Sequence, residues 1–528
     1  MLKHIRRLLA LVFFVGLNWL FLDFTGTAQG CVGWMAKLQL LPALLALNWV
    51  VFIAILLITA LMGRAYCSVI CPLGVMQDVI SWISGKLQFN KNKLRFGRFQ
   101  YRDTKGLRIM RGVILALFLV CLVAGFGTFV QLLAPYSSFG RMVTMLLQPL
   151  YEMGNNLLAD RSEAAGTFDY YQVDIWMRSL PVVIIAAVTF VIVFVMAWID
   201  GRFYCNNICP VGSLLGIVSR RPVLGVRIDA DKCKACRLCE RGCKGSAIFI
   251  PTKEQRAEGL KPMVDHTRCV DCFDCLDKCA HGALKFGVAS AASTPADAPT
   301  QNSDSDKRNS SEAGPTRRAF LTATATVLAA AVVKAEEKTT DGGYKILVDK
   351  ERPKRQTPIC PPGSLSLAHL QKHCTGCQLC VSECPNGVLR PSSDLMHLMM
   401  PESSYERGYC RPECTRCSDV CPAGAIIKFP GNQQERRAVK ASTKVGTAHW
   451  IKENCIVLND GVSCGLCSRR CPSGAITMVP SVADDDKSPK IPVIDEERCI
   501  GCGACENLCP ARPFSAIYVE GVEVQREI

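Results

Sequence analysis

At 528 residues the chain is too long for one ordinary domain. Its 31 cysteines fall in short tandem runs, which excludes the loop-scale disulfide framework of small secreted domains. A hydrophobic share of 49% points to a membrane part, and the net charge of +15 raises nucleic acid as a partner until its position along the chain is considered.

Four apolar runs, about 8–24, 38–62, 112–133 and 180–199, reach the ~20 residues that span a bilayer. The first has no convincing small-residue cleavage site and leads within one loop to a second run, so it reads as a retained helix rather than a signal peptide. Asn18 and Asn48 fall within the first two runs. Asn in a span commonly bonds a neighbouring helix, with a quinone contact as the alternative. The N-terminus carries Lys3, Arg6 and Arg7, and the 62–106 loop carries Arg64, Lys86, Lys91, Lys93, Arg95, Arg98, Arg102 and Lys105. The 134–179 loop is acidic instead, with Glu152, Asp160, Glu163, Asp169 and Asp174 against Arg141, Arg161 and Arg178. Basic residues stay on the cytoplasmic side, so the N-terminus, the 62–106 loop and the chain after 199 are expected there. Much of the charge is thus a topology signal, and nucleic acid is not expected as a partner.

The second and fourth runs each end in a copy of one motif, "GRAYCSVICPLG" (63–74) and "GRFYCNNICPVG" (201–212), identical at eight of twelve positions. Equal orientation of the two hairpins suggests a pseudo-twofold axis along the membrane normal. That axis would bring Cys67, Cys71, Cys205 and Cys209 together at the cytoplasmic membrane face as one redox or metal unit. Cysteines four apart share a helix face. Pro72 and Pro210 should end or kink the helices, and Gly74 and Gly212 should allow the turns that follow. Two structural turns packed by Tyr66 and Tyr204 are the bland alternative.

After 222 the cysteines come in runs. Cys233, Cys236, Cys239, Cys243 and Cys269, Cys272, Cys275, Cys279 have the C-x2-C-x2-C-x3-C spacing of two-cluster ferredoxins, in which the fourth Cys of each run ligates the other cluster. Residues 288–316, poor in large apolar side chains, read as a disordered linker. Twin Arg317-Arg318 before an Ala/Thr-rich stretch (317–335) reads as a twin-arginine export signal or a fifth membrane helix. It would place 336–528 outside the inner membrane, with cleavage after Ala335 as an option. Four more runs follow: Cys374, Cys377, Cys380, Cys384; Cys410, Cys414, Cys417, Cys421; Cys455, Cys464, Cys467, Cys471; and Cys499, Cys502, Cys505, Cys509. The second and third widen the first gap, and all four end in Cys-Pro. Zinc also binds C-x2-C pairs, but six such runs are expected to hold six [4Fe–4S] clusters. Pairing among the last four runs, adjacent or nested, stays open. Cys31, Cys121 and Cys360 are left as structural or incidental.

The expected fold class is therefore an α-helical membrane domain of four transmembrane helices in two pseudo-symmetric hairpins (1–222), joined to α+β bacterial-ferredoxin-like domains, one two-cluster (223–287, cytoplasmic) and one four-cluster (336–528, periplasmic). Residues 1–287 resemble NapH-type membrane ferredoxin-like proteins, whose marks are four helices, two Cys-x3-Cys-Pro motifs and two cubane sites. Residues 316–528 resemble NapG/MauM-type periplasmic ferredoxins, with a twin-arginine signal and four cubane sites. The two are usually separate, so their fusion departs from the pattern. The resemblance implies an inner-membrane quinol dehydrogenase that draws on the quinone pool and feeds a periplasmic reductase, such as nitrate reductase, or a c-type cytochrome. No haem is expected: there is no C-x-x-C-H, and the histidine nearest a span is His4. Two other readings stay open: an electron donor or maturation factor for a periplasmic metalloenzyme without quinone chemistry, and a thiol-redox or metal sensor.

Overall fold

The computed structural model describes residues 2–89, 105–288, 348–482, 485 and 488–528, with short strands at Thr340–Asp341 and Lys345–Ile346. The linker expected over 288–316, apart from Val288, and the signal or helix expected over 317–335 lie outside the described residues.

Among the described residues three helices are long and apolar enough to cross a membrane: α1 (Leu2–Leu22), the Leu107–Ala124 part of Lys105–Ala124, and Leu180–Asp200. The fourth, expected over 38–62, is not continuous. Leu47 takes a left-handed conformation (φ 54°), and the Asn48 side chain accepts from the Val51 N–H, starting a new helix, α2 (Trp49–Met62). Its 14 residues rise about 21 Å, less than the hydrocarbon core. Asn18 likewise bonds inside its own helix, to the Phe14 carbonyl, so among the described residues neither asparagine ties two helices together. The run expected over 112–133 breaks at Gly125 (φ 79°).

Each motif copy folds alike. The first forms α3 (Ala65–Val69) and then α4 (Pro72–Phe89), which precedes α5 (Lys105–Ala124). The 134–179 segment, expected as an outer loop, begins with α6 (Pro135–Met142), all eight residues of which are buried, packed against α4 and α7 (Leu180–Asp200). Charge alone does not reveal this because α6 itself carries only Arg141, while Gly140 allows a close approach in which a Cβ would run into the Cys377 carbonyl and the Phe21 ring. Arg141, fully buried, donates to the Gln131 and Leu132 carbonyls at the end of the preceding helix, where a cation is favoured. The second copy forms α8 (Phe203–Asn207) and α9 (Pro210–Val218).

Two lobes cap this bundle. The first pairs β1 (Leu224–Ile228) with β4 (Leu284–Val288), and β2 (Ile248–Phe249) with β3 (Met263–Val264), all antiparallel. The second pairs β5 (Leu389–Pro391) with β6 (Pro401–Ser403), β7 (Thr443–Trp450) with β10 (Ile517–Glu527), and β8 (Ile476–Pro480) with β9 (Lys490–Ile494). The lobes meet opposite ends of α1. Lys3 and Arg7 in its first turns pair with Asp277 and Asp274 of the first lobe at 2.6 and 2.9 Å. Beyond its last turn, the Thr25 carbonyl accepts from Arg416 (2.9 Å), and Gln29 donates to the Asp419 carbonyl of the second lobe.

Candidate metal centres

The two motif copies face one another in the bundle. Gly63 (φ 80°) and Gly201 (φ 65°) turn the chain into each copy. Each short helix then stops, and Pro72 and Pro210 open the next one, where a missing N–H costs nothing. The helix break falls between the two cysteines of each copy, so they do not share one helix face as expected; Cys209 instead caps α9, its Sγ accepting from the Gly212 N–H at 3.3 Å. Gly74 and Gly212 are not turn residues either. A Cβ at Gly74 would run into the Cys67 carbonyl, and one at Gly212 into the Cys205 carbonyl.

The arginine of each copy crosses to the other. Arg202 Nη1 donates to the Cys67 carbonyl (2.6 Å), and Arg64 Nη2 to the Cys205 carbonyl (3.2 Å). Both guanidiniums have zero exposure. Arg202 is neutralised by Asp78 at 2.7 Å; the fork of Arg64 reaches Asn206 Oδ1 (2.6 Å), the Thr267 carbonyl (3.0 Å) and Cys67 Sγ (3.9 Å), and the Asp271 carboxylate accepts from its backbone N–H and feels its charge. Gln77 Nε2 reaches Cys205 Sγ at 3.1 Å. All four thiols are buried and unbridged, and they sense one another electrostatically. Tyr66 and Tyr204 anchor the copies from the far side, at Gln39 and Leu40 and at the Leu133 carbonyl. Two buried guanidiniums beside four thiols suit an anionic thiolate-ligated centre, because buried cations in low dielectric favour anionic groups next to them.

In the lobes, cavity walls carry complete sets of four cysteines. One is lined by Cys243, Cys269, Cys272 and Cys275, a second by Cys455, Cys464, Cys467 and Cys509, a third by Cys471, Cys499, Cys502 and Cys505. Cys374, Cys377 and Cys380 share their neighbourhood with Cys421, while Cys410, Cys414 and Cys417 share theirs with Cys384. Cys233, Cys236 and Cys239 are mutual neighbours, in one core with Cys279. Exchange of the fourth cysteine is therefore between adjacent runs, which resolves the pairing left open by spacing. Among the described residues no three such side chains close around a point as one ion requires; thiols spread over a cavity wall fit a cluster better.

The regular runs share a backbone device. The residues before and after the second cysteine are left-handed in all four: Ala235 and Arg237, Asp271 and Phe273, Gly376 and Gln378, Gly501 and Gly503. Four, Ala235, Arg237, Phe273 and Gln378, are of types that rarely adopt this region and are strained there, as ligand clamps often are. N–H groups point at the fourth thiols: Ala247 N to Cys243 (3.4 Å), Ile426 N to Cys421 (3.5 Å) and Ala516 N to Cys509 (3.3 Å). Burial pushes the Cys239 and Cys467 thiols up to about 11, so loading a metal there displaces protons. Cys360, expected to be structural or incidental, packs against the Cys374 set.

The family model described as a 4Fe-4S binding domain matches twice, over 44–90 and 182–228, and models described as a 4Fe-4S dicluster domain match 373–427 and 461–512. Ferredoxin-type protein NapH of Haemophilus influenzae is 22% identical over 238 residues, 45% of this chain and 66% of that protein. The methylamine utilization ferredoxin-type protein MauM of Methylobacillus flagellatus is 28% identical over 160 residues, 29% of this chain and 64% of its own length. The chain is thus similar to NapH- and MauM-type ferredoxin-like proteins. An uncharacterized protein of Methanocaldococcus jannaschii is 38% identical over 94 residues, 18% of this chain and 34% of its own. The chain thus spans between a third and just under two thirds of these relatives' lengths. It carries matches to iron–sulfur-binding models and is related to NapH and MauM, and its apolar helices are consistent with an inner-membrane protein.

In the sequence Arg64 counts only as a topology signal, and no spacing there points to the reach of Arg64 and Arg202 into the opposite copy. Their identity in both copies was the available signal. Gln39 and Gln131, each followed by two leucines and each fully buried, are a second repeated pair that went unread.

Proposed function

We propose that the protein is a quinol dehydrogenase of the inner membrane that carries electrons through six [4Fe–4S] clusters, held by its 24 tandem-run cysteines, to a periplasmic reductase or c-type cytochrome. Such clusters supply one-electron transfer. The four motif cysteines are the link between the lobes in this reading, holding a further metal–thiolate centre. The observation that carries it is one contiguous apolar core. It contains Cys272 of the first lobe, then Cys67, Cys71 and Cys209, then Tyr66, Tyr136 and Phe139, with Cys377 and Cys380 of the second lobe packed against it. The two segments matched as a 4Fe-4S binding domain contain, as cysteines, only the motif pairs Cys67 and Cys71, and Cys205 and Cys209, which supports metal there. Docking of the lobes at opposite ends of α1 supports a cytoplasmic first lobe and a periplasmic second lobe, the latter delivered by the twin-arginine segment.

The test is iron and sulfide analysis with EPR on anaerobically purified protein. At least about 24 iron per chain are expected, four for each cubane. About eight iron, with zinc as the balance, would reject the array. Quinol added to membranes should reduce the clusters, and Cys67→Ser or Cys205→Ser should abolish that reduction while the six lobe clusters keep their EPR signals. Clusters reduced equally well without quinol oxidation would favour the donor or maturation reading.

A further inference from the structure

Outside the cysteine sets, one cavity of about 330 Å³ lies where α5, α9 and the first lobe meet. Its chemistry is cationic: Arg108, Arg111, Arg220 and Arg268 line it, against the single carboxylate of Asp265. The arginines are graded in depth. Arg108 and Arg220 are exposed at the rim, Arg111 is half-buried and Arg268 is buried at 5% exposure. Arg111 reaches in between the elements to the Ser213 and Thr267 carbonyls at 3.3 and 3.4 Å, over Gly216, where a Cβ would collide with its guanidinium.

Among the described residues, two polar atoms in the wall are buried and without a hydrogen-bond partner: Asn207 Oδ1, an acceptor on a residue 1% exposed, and Arg268 Nε, a donor. Buried polar groups are normally satisfied, so an orphan acceptor and an orphan donor on residues lining one cavity point to a ligand offering both a hydroxyl and an anionic oxygen. The place agrees. The cavity opens where the apolar span beginning at Leu107 starts, beside Ile109 and Ile217, which are 66% and 61% exposed. Basic pockets between membrane helices at this level bind anionic lipid headgroups. We infer that this cavity binds the headgroup of an anionic phospholipid carrying a free hydroxyl, as in phosphatidylglycerol. The phosphate lies among the arginines, and the headgroup hydroxyl donates toward Asn207 and Asp265. A neutral quinol would fit the orphan acceptor but brings no negative charge to a lining rich in arginine.

The experiment uses the full chain, purified with its clusters and stripped of lipid by detergent exchange. Binding to nanodiscs of phosphatidylcholine with and without 25 mol% phosphatidylglycerol is read as melting temperature, and native mass spectrometry counts the retained lipid. Phosphatidylglycerol, but not phosphatidylcholine alone, is expected to raise the melting temperature. Arg108→Gln with Arg220→Gln, both at the rim, is expected to weaken that binding about tenfold; Arg220→Gln alone serves if the double variant does not fold. Equal protection by pure phosphatidylcholine, or unchanged phosphatidylglycerol binding in the variant, would overturn the inference. Inorganic phosphate competing at millimolar concentration would reassign the cavity to a soluble anion. A quinol analogue that displaces phosphatidylglycerol would reassign it to the quinol.

Discussion

Asp23, just past α1, shows how one side chain fixes the docking of the second lobe. Its carboxylate accepts from the Thr25 N–H and hydroxyl at 2.8 and 2.6 Å and from the Ala28 N–H at 2.7 Å, holding the turn whose Thr25 carbonyl receives Arg416. Burial alone would raise its pKa, but these hydrogen bonds outweigh it and hold the group below the ordinary carboxylate value. A lowered folded value means the stabilisation is present above the unfolded pKa, about 3.9, and is lost as pH falls through the folded value. Asp23→Asn should therefore melt earlier than the parent at pH 7, by about 1–2 kcal/mol. That gap should shrink steadily below about pH 4. A gap independent of pH would show that the carboxylate's charge is not what holds the turn.

Among the elements, the two motif copies behave as one structure made twice. Gly74 and Gly212 occupy equivalent points, each against the cysteine carbonyl of its own copy and the arginine of the other. Gly74→Ala and Gly212→Ala should each force the following helix away, at about 1–3 kcal/mol, and should damage the four-cysteine centre to the same degree. The measurement is iron content and EPR of the purified variants beside a variant at Gly85, a glycine of α4 whose Cβ would meet open space. If the motif variants keep a normal centre while the glycine contacts are lost, the cysteines do not form one unit. A defect in one variant alone would show that the copies have diverged. The repeat was legible because eight identities in twelve are hard to reach by chance. The break inside each copy was not, because a cysteine spacing of four looks the same whether the helix continues or restarts at the proline.

Across the whole molecule the sets of the second lobe follow a spatial order different from their chain order. Cys380 lies near Cys417, Cys410 near Cys502, and Cys467 shares a core with Cys499 and Cys505. The order outward from the bundle is thus the sets begun by Cys374, Cys410, Cys499 and Cys455. The last would face an external acceptor, beside Leu458 and Val462, which are 45% and 51% exposed. Cys464→Ser should leave the other clusters reducible while slowing reoxidation by an added acceptor at least tenfold. Unchanged reoxidation would place the exit elsewhere.

What the sequence determined by itself was the set of cysteines and their grouping into runs, because thiolate spacing within a short loop is local geometry. It also marked the apolar stretches and the repeat. Only the tertiary structure decided which fourth cysteine joins which run, that the second stretch is broken at Leu47 and Asn48, and that α6 is buried inside a segment rich in acidic charge. It also placed two arginines, 138 residues apart in the chain, each on the cysteine carbonyl of the other's copy. Those outcomes depend on which surfaces meet, and residues far apart in sequence leave no spacing to read until the chain has brought them together.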